Sequence, residues 1–360
     1  MWEYVKVQLA SHFRVLLFDN LAIGQTLDDG SALTIEKMAQ ITYREALNQA
    51  LREELDRDER VFVMGEEVGY FGGAFKVTDG LLAVYGEKRV RDTPISELVI
   101  VGAGVGAAMG GLRPIVELMT VNFSLLAIDQ IVNHAAKMRY MFGGKTKVPL
   151  VIRTPQGAGH QLGAQHSQSL EAYFLHCPGL RVAIPATPAD AKGLLKSALR
   201  QEDPVMFLEH ESLYSVKGEV PDGEHLVPFG KANVMREGKD VTIVSYSKCV
   251  YDSMHAAEAL ENDGVDAEVI DLRMLNPLDI GTVVESVKKT GKAIVVYEGW
   301  KTGGAGAEIA AQIYEAAFDH LDAPVERVAT LDQPIPYNKH LEKAALPSAA
   351  DIVKVAERMM

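Results

Sequence analysis

Apolar and polar positions follow two rhythms along this chain. After Thr42, residues Ala46, Leu47, Ala50, Leu51 and Leu55 recur at the three- and four-residue spacing of a helix face. Thr42 stands at an N-cap, and Glu45, three residues on, completes a capping box. Met38 opens this helix-start pattern. Short apolar runs at 61–64, 114–118, 148–152 and 204–208 have the length of buried strands. Helical periodicity separates them at 96–110, 123–140 and 188–200. The stretch 213–238 then breaks the rhythm with Gly218, Pro221, Gly223, Pro228, Gly230 and Gly238 among charges. Beyond it, strands at 241–246, 267–272 and 293–297 alternate with helices at 251–262, 278–289 and 306–318. Such alternation predicts an α/β protein with parallel sheets. The expected organisation is a first α/β domain over 38–215, a linker over 216–235 and a second α/β domain over 236–360.

Residues 1–37 read as a disordered leader or extension without chemistry. Their apolar stretch, Phe13 to Phe18, is too short for a membrane span, and Asp19, Asp28, Asp29 and Glu36 are foreign to a transit peptide. The 360 residues carry 49 acids against 36 bases, a net charge of −13. That surface repels nucleic acid and anionic membranes, so neither is an expected partner. No apolar run approaches the roughly 20 residues that cross a bilayer. The two cysteines, Cys177 and Cys249, lack metal or redox spacing and read as reduced thiols, which places the protein in the cytoplasm.

Three features invite chemistry. The run Gly102-Ala103-Gly104-Val105-Gly106-Ala107-Ala108 fits a dinucleotide fingerprint, with Glu117 further on. That fingerprint needs a strand directly before it, whereas Pro94-Ile95-Ser96-Glu97 starts a helix. The glycines are then expected inside that helix, letting another helix approach closely. Gly303-Gly304-Ala305-Gly306 reads as a tight strand-to-helix turn. Glu97 stands in a first helical turn beside the apolar residues 98–101; it is either a plain N-terminal acid or a carboxylate drawn inside for function. His160 and His166 lie in a glycine-rich, turn-like stretch after a buried strand, and spacing alone leaves each open to a structural or a catalytic role.

Six segments recur together in order: Gly65-Glu66-Glu67-Val68, Asp92-Thr93-Pro94-Ile95-Ser96-Glu97, Gly111-Leu112-Arg113-Pro114, Ala164-Gln165-His166-Ser167-Gln168, Asp190-Ala191-Lys192-Gly193-Leu194 and Val269-Ile270-Asp271-Leu272-Arg273. With them the chain, from Met38 to its end, resembles the β subunits of thiamine-diphosphate-dependent 2-oxo acid dehydrogenases. The resemblance implies an N-terminal pyrimidine-binding domain and a C-terminal transketolase-type domain. It also implies an α2β2 heterotetramer whose active sites form between α and β, and an acyltransferase core as a further partner. The family's diphosphate and Mg2+ motif, a G-D-G followed by asparagines, is absent here and is what the family places on α. Glu97 matches the glutamate that hydrogen-bonds the aminopyrimidine ring nitrogen and so promotes the tautomer that removes the thiazolium proton. Ile95, Met119 and Phe123 match positions lining the pyrimidine pocket. His166 matches an active-site histidine that handles protons during decarboxylation or acyl transfer to lipoamide.

Leu150, Ala198, Leu199, Gln201 and Asp203 match positions that hold a structural K+, mostly through carbonyls, with Gln201 standing where an acid is usual. Asp92-Thr93-Pro94 and Ala164-Gln165-His166-Ser167 are closer to pyruvate-type members than to branched-chain ones. Arg139-Tyr140-Met141-Phe142-Gly143-Gly144-Lys145 and Gly218-Glu219-Val220-Pro221 also resemble acetoin-type β subunits.

Overall fold

The computed structural model describes residues 38–360; the expected leader, 1–37, lies outside them. The strands in chain order are β1 (Met38–Thr42), β2 (Val61–Gly65), β3 (Val90–Asp92), β4 (Arg113–Glu117), β5 (Val151–Gln156), β6 (Arg181–Ala183) and β7 (Val205–His210). They continue with β8 (Lys217–Pro221), β9 (Asn233–Arg236), β10 (Val241–Ser245), β11 (Ala267–Asp271), β12 (Met274–Asn276), β13 (Ala293–Trp300) and β14 (Glu326–Thr330). Eight helices matter below: α1 (Tyr43–Arg57), α2 (Glu97–Met109), α3 (Pro188–Leu199), α4 (Cys249–Asn262), α5 (Ile280–Thr290), α6 (Ala305–Ala317), α7 (Lys339–Ala345) and α8 (Ala349–Met359).

The first sheet has seven strands in the order β12-β6-β7-β5-β4-β2-β3 and is parallel except where β12 meets β6. The second has five, β14-β13-β10-β11-β9, parallel except at β9. Central strands such as β4, β5, β7, β10 and β11 are buried at every position. Continuous rather than alternating apolar runs are what a sheet covered on both faces requires.

Tyr43, Leu47 and Leu51 of α1 and Leu194, Leu195 and Ala198 of α3 cover one face of the first sheet. Ile100, Val101 and Val105 of α2 cover the other, in a core that runs on without a break to Val244, Ile270 and Val295 of the second sheet. Ala256 and Leu260 of α4, with Ile352 and Ala356 of α8, close the outer face of that sheet. Burying each such Leu, Ile or Val side chain contributes about 1.5–3 kcal/mol relative to exposure.

The capping box forms as expected: Thr42 Oγ1 accepts from Glu45 N at 3.2 Å, and Thr42 N donates to Glu45 Oε2 at 2.7 Å. Three expectations are corrected. Met38 does not begin a helix. Residues Met38–Thr42 form β1, which pairs antiparallel with β8 and so draws part of the expected linker into a two-stranded sheet. The periodic stretch 123–140 is not one helix. It breaks into a 3-10 segment (Val121–Ala127), a π turn (Gln130–Ala135) and a short α turn (Met138–Met141). The glycine-rich helix α2 packs against the first sheet as well as a neighbouring turn. A Cβ on Gly104 would stand 2.7 Å from Val116 Cγ1 of β4, and one on Gly102 would stand 3.2 Å from Gln130 Oε1. Close packing explains these glycines. Glu117 pairs with Arg153 instead of serving a nucleotide.

Candidate active site

Strands β5, β4, β2 and β3 are consecutive neighbours and parallel, so their carboxyl ends form one edge. Ligand sites of open α/β sheets sit outside such edges. Glu66 is the first residue after β2, and Glu97 opens α2 after β3. Met119 lies two residues past β4, Phe123 in the 3-10 turn that follows, and His166 in the loop after β5.

Glu97 is 5% exposed, and among the described residues no hydrogen bond reaches its carboxylate. Glu66 is equally buried, and its Oε1 has no partner among the described residues. Burial pushes the Glu66 carboxyl up, and the negative charge of Glu97 pushes it further. Two buried carboxyls near enough to interact, with no donor among the described residues, form half of an interaction, since a buried carboxylate is costly until a donor meets it.

His166 is exposed, and its ring stands edge-on to Phe123 with centroids 5.5 Å apart and planes at 85°. The two segments are stitched together beneath these rings. Gln168 Nε2 donates to Asn122 Oδ1 at 2.8 Å, and Asn122 Nδ2 donates to Thr120 Oγ1 at 2.7 Å. Met119 and Phe123 are half-buried, while Ile95 is 82% exposed. Glu97, Met119, Phe123 and His166 thus reach the same sheet edge, with Ile95 on its open surface. His160 is exposed on the same loop.

Leu150, Ala198, Leu199, Gln201 and Asp203 gather at the opposite edge, beside the amino ends of β5 and β7. The Leu150 carbonyl accepts from Val205 N at 2.9 Å. Arg113 Nη1 donates to the carbonyls of Leu199 at 3.0 Å and Gln201 at 2.9 Å. The Asp203 carboxylate meets Arg139 and Arg181. Burial would raise Asp203, but those two hydrogen-bonded guanidinium groups hold it below its ordinary value.

Sequence reasoning missed several buried charges. Arg153 of β5 is 1% exposed and bridges Glu117 at 2.5 Å and Glu209 at 2.5 and 2.7 Å, with Tyr214 donating to Glu209 at 2.7 Å. The three strands are neighbours, so this ion network stitches the sheet next to the site. A second acidic set lies where carboxyl ends of both sheets meet. Glu171 accepts from Tyr246 Oη at 2.8 Å and Gln156 Nε2 at 2.9 Å, yet burial raises it. Glu298 lies 3.0 Å from His210 Nε2; although burial opposes ionisation, His210, Lys248 and the Ala158 N–H pull it down to about 2. Glu211, 4% exposed with neither oxygen partnered among the described residues, is pushed up to about 8 by burial and by the charges of Glu298 and Glu342. Glu66 was marked in sequence by its place directly after a buried strand, within the segment Gly65-Glu66-Glu67-Val68. Nothing local marks Glu171, Glu211 or Glu298, whose burial is made by partners far along the chain.

Residues 39–217 match the family described as transketolase, pyrimidine binding domain, and 230–352 match transketolase, C-terminal domain. The pyruvate dehydrogenase E1 component subunit beta of Rickettsia felis is 51% identical over 320 residues, covering 89% of this chain and 98% of that protein. The mitochondrial protein of the same name from Dictyostelium discoideum is 52% identical over 324 residues, covering 89% and 91%. The Rhizobium meliloti protein is 52% identical over 318 residues, covering 88% of this chain and 69% of its own. Among solved structures, a split gene transketolase described as an inactive beta4 tetramer superposes with a TM-score of 0.72 at 25% identity, covering 89% of this chain and 98% of that one.

Proposed function

The chain belongs to the family of pyruvate dehydrogenase E1 component β subunits, and on that premise we propose that it supplies half of an active site that decarboxylates pyruvate and passes the acetyl group to lipoamide. The observation that carries the proposal is the pair of buried carboxyls, Glu97 and Glu66, at the carboxyl edge of a pyrimidine-binding fold, with no hydrogen-bond donor to Glu97 or to Glu66 Oε1 among the described residues. Such a pair fits a ligand that offers a protonatable ring nitrogen. Thiamine diphosphate, when bound, supplies the carbanion that adds to the 2-oxo acid and accepts the electrons left by carbon dioxide.

In this reading Glu97 holds the proton at the pyrimidine ring nitrogen, with the buried Glu66 beside it. Ile95, Met119 and Phe123 exclude water from the ring. His166, exposed on its loop, moves a proton at the reacting carbonyl oxygen or at the lipoyl sulfur. The diphosphate and Mg2+ are assigned to an α partner in an α2β2 assembly, and an acyltransferase core is proposed to dock on the β subunits. The 82% exposure of Ile95, with Leu98 at 50% and Val99 at 59%, leaves an apolar surface open at the site, as an α contact requires. The acetoin and branched-chain readings are not favoured, because the relatives described above carry the pyruvate name.

A K+ ion at Leu150, Ala198, Leu199, Gln201 and Asp203 is a separate proposal resting on the resemblance. It would share the Leu199 and Gln201 carbonyls with Arg113, using their second lone pairs. A melting temperature that rises in KCl but not in NaCl supports it, and equal melting in both removes it. A cytoplasmic setting is likewise proposed from the two free cysteines; among the described residues no helix is long and apolar enough to cross a membrane.

The deciding experiment is calorimetric titration of thiamine diphosphate and Mg2+ into the chain alone and then into the chain with its α subunit. Tight binding only with α present is the expected result. Tight binding by the chain alone overturns the half-site reading. With the complex in hand, turnover of pyruvate against acetoin and branched-chain 2-oxo acids tests the substrate.

A further inference from the structure

We infer that Glu342, in the C-terminal half, is a positioning residue for His166, which it holds in place through the loop that carries the histidine. The inference rests on the reading of His166 as a proton-handling residue.

Glu342 lies in the first turn of α7, a seven-residue helix, yet it is only 2% exposed. Its carboxylate is spent entirely on the loop after β5. Oε1 accepts from the backbone N–H of Gly159 at 3.1 Å and of Gln161 at 3.1 Å, and Oε2 accepts from Gln161 Nε2 at 2.8 Å. Gln161 has φ +56°, a left-handed conformation that a residue with a side chain keeps only when its surroundings enforce it. Charge-assisted hydrogen bonds from both its backbone and its side chain do so.

The same half of the chain grips the loop twice more. Glu298 Oε1 accepts from Ala158 N at 2.8 Å. Gly163, at φ +76°, lies so close under Tyr337 that a Cβ there would stand 2.8 Å from the ring. From Gly163 the chain turns directly into His166, whose N–H donates to the Gly163 carbonyl at 3.4 Å. The loop closes at its base through Gly157 N to Gln168 O at 3.1 Å. His166 therefore rides on a loop fixed on one side by Asn122 and Phe123 and on the other by Glu298, Tyr337 and Glu342. A displacement of about 1 Å at a reacting group costs roughly 100-fold in rate, so releasing one side should register as lost turnover.

The test uses the assembled α–β holoenzyme with four variants: Glu342→Ala, Glu342→Gln, His166→Ala and the Glu342→Ala/His166→Ala double. Glu342→Ala should lower kcat roughly 10- to 100-fold while the pyruvate KM and the affinity for thiamine diphosphate stay near parent values. Amide exchange across 157–169 should accelerate. Glu342→Gln keeps an oxygen for both backbone donors and should recover most of the rate. The double variant should be no slower than His166→Ala, because a residue acting through the histidine has nothing left to act on. Parent-like turnover of Glu342→Ala, or a double variant slower by the full product of the single losses, overturns the inference. Should Glu342→Ala fail to assemble, Tyr337→Ala removes a side chain that is 76% exposed and must show the same split between kcat and KM. If His166→Ala itself turns over normally, the reading of the histidine fails. Loop exchange in Glu342→Ala then reports separately whether Glu342 holds the loop.

Discussion

Replacing Glu211 by glutamine should stabilise the protein at alkaline pH and change little in acid. Its carboxyl is pushed from an ordinary 4.5 to about 8, first by burial and then by the charges of Glu298 and Glu342. Between those values the folded protein keeps a proton that the unfolded chain has released. Stability therefore falls as pH rises through this window, and the loss is complete above about 8. A displacement of that size corresponds to at most ~5 kcal/mol. Local relaxation and water entry reduce it, so a gain of about 2 kcal/mol or more at pH 8.5 is the expectation. Glutamine has nearly the same volume, never ionises, and offers N–H donors to the two neighbouring carboxylates. The assay is urea or thermal unfolding of parent and variant in the same oligomeric form at steps from pH 5 to 9. The difference between them cancels every titration they share. A difference that stays flat with pH, or a variant less stable than the parent at pH 8.5, refutes the reasoning.

Glu97→Ala in the assembled complex should lower turnover by at least about 100-fold without loss of assembly, read by steady-state rates and by size. Arg153→Met leaves Glu117 and Glu209 buried without their cation, so unfolding at pH 7.5 should show a loss of about 3–5 kcal/mol. Part of it should return at pH 5, because burial already raises the Glu117 carboxyl and protonation relieves the unpaired charge. Gly104→Ala places a methyl 2.7 Å from Val116 Cγ1 and 3.1 Å from Leu150 Cδ1. Its melting temperature should fall by an amount matching about 1–3 kcal/mol, with the cofactor site intact.

What could be read from the chain was whatever lies within one turn of helix or one strand. The capping box at Thr42 and Glu45 is local chemistry, and it formed. The runs that became β4, β5, β10 and β11 hold consecutive apolar residues because helices cover both faces, a property each strand carries in its own residues, though the buried charges among them, such as Arg153, were not read. Met38–Thr42 was misread because its partner, Lys217–Pro221, lies some 180 positions away, and pairing between them leaves no local trace. Periodicity at 123–140 showed which face is buried but not the pitch, so three kinds of turn looked like one helix. The motif around His166 was visible in sequence; the grip of Glu342 on its loop was not, because the donors and the acceptor are 181 and 183 residues apart.

The short strand β12 has a topological result. It leaves the second half of the chain just after β11, runs antiparallel beside β6 at the edge of the first sheet, and then returns to α5. Meanwhile β8, following β7, turns back to pair with β1. A protease that nicks the exposed turn at 222–224 would cut the only covalent tether there, yet it would free neither piece. Each fragment would still hold a strand or a core surface that the other completes. The two halves should melt together, and separately made fragments should reassemble into the intact shape.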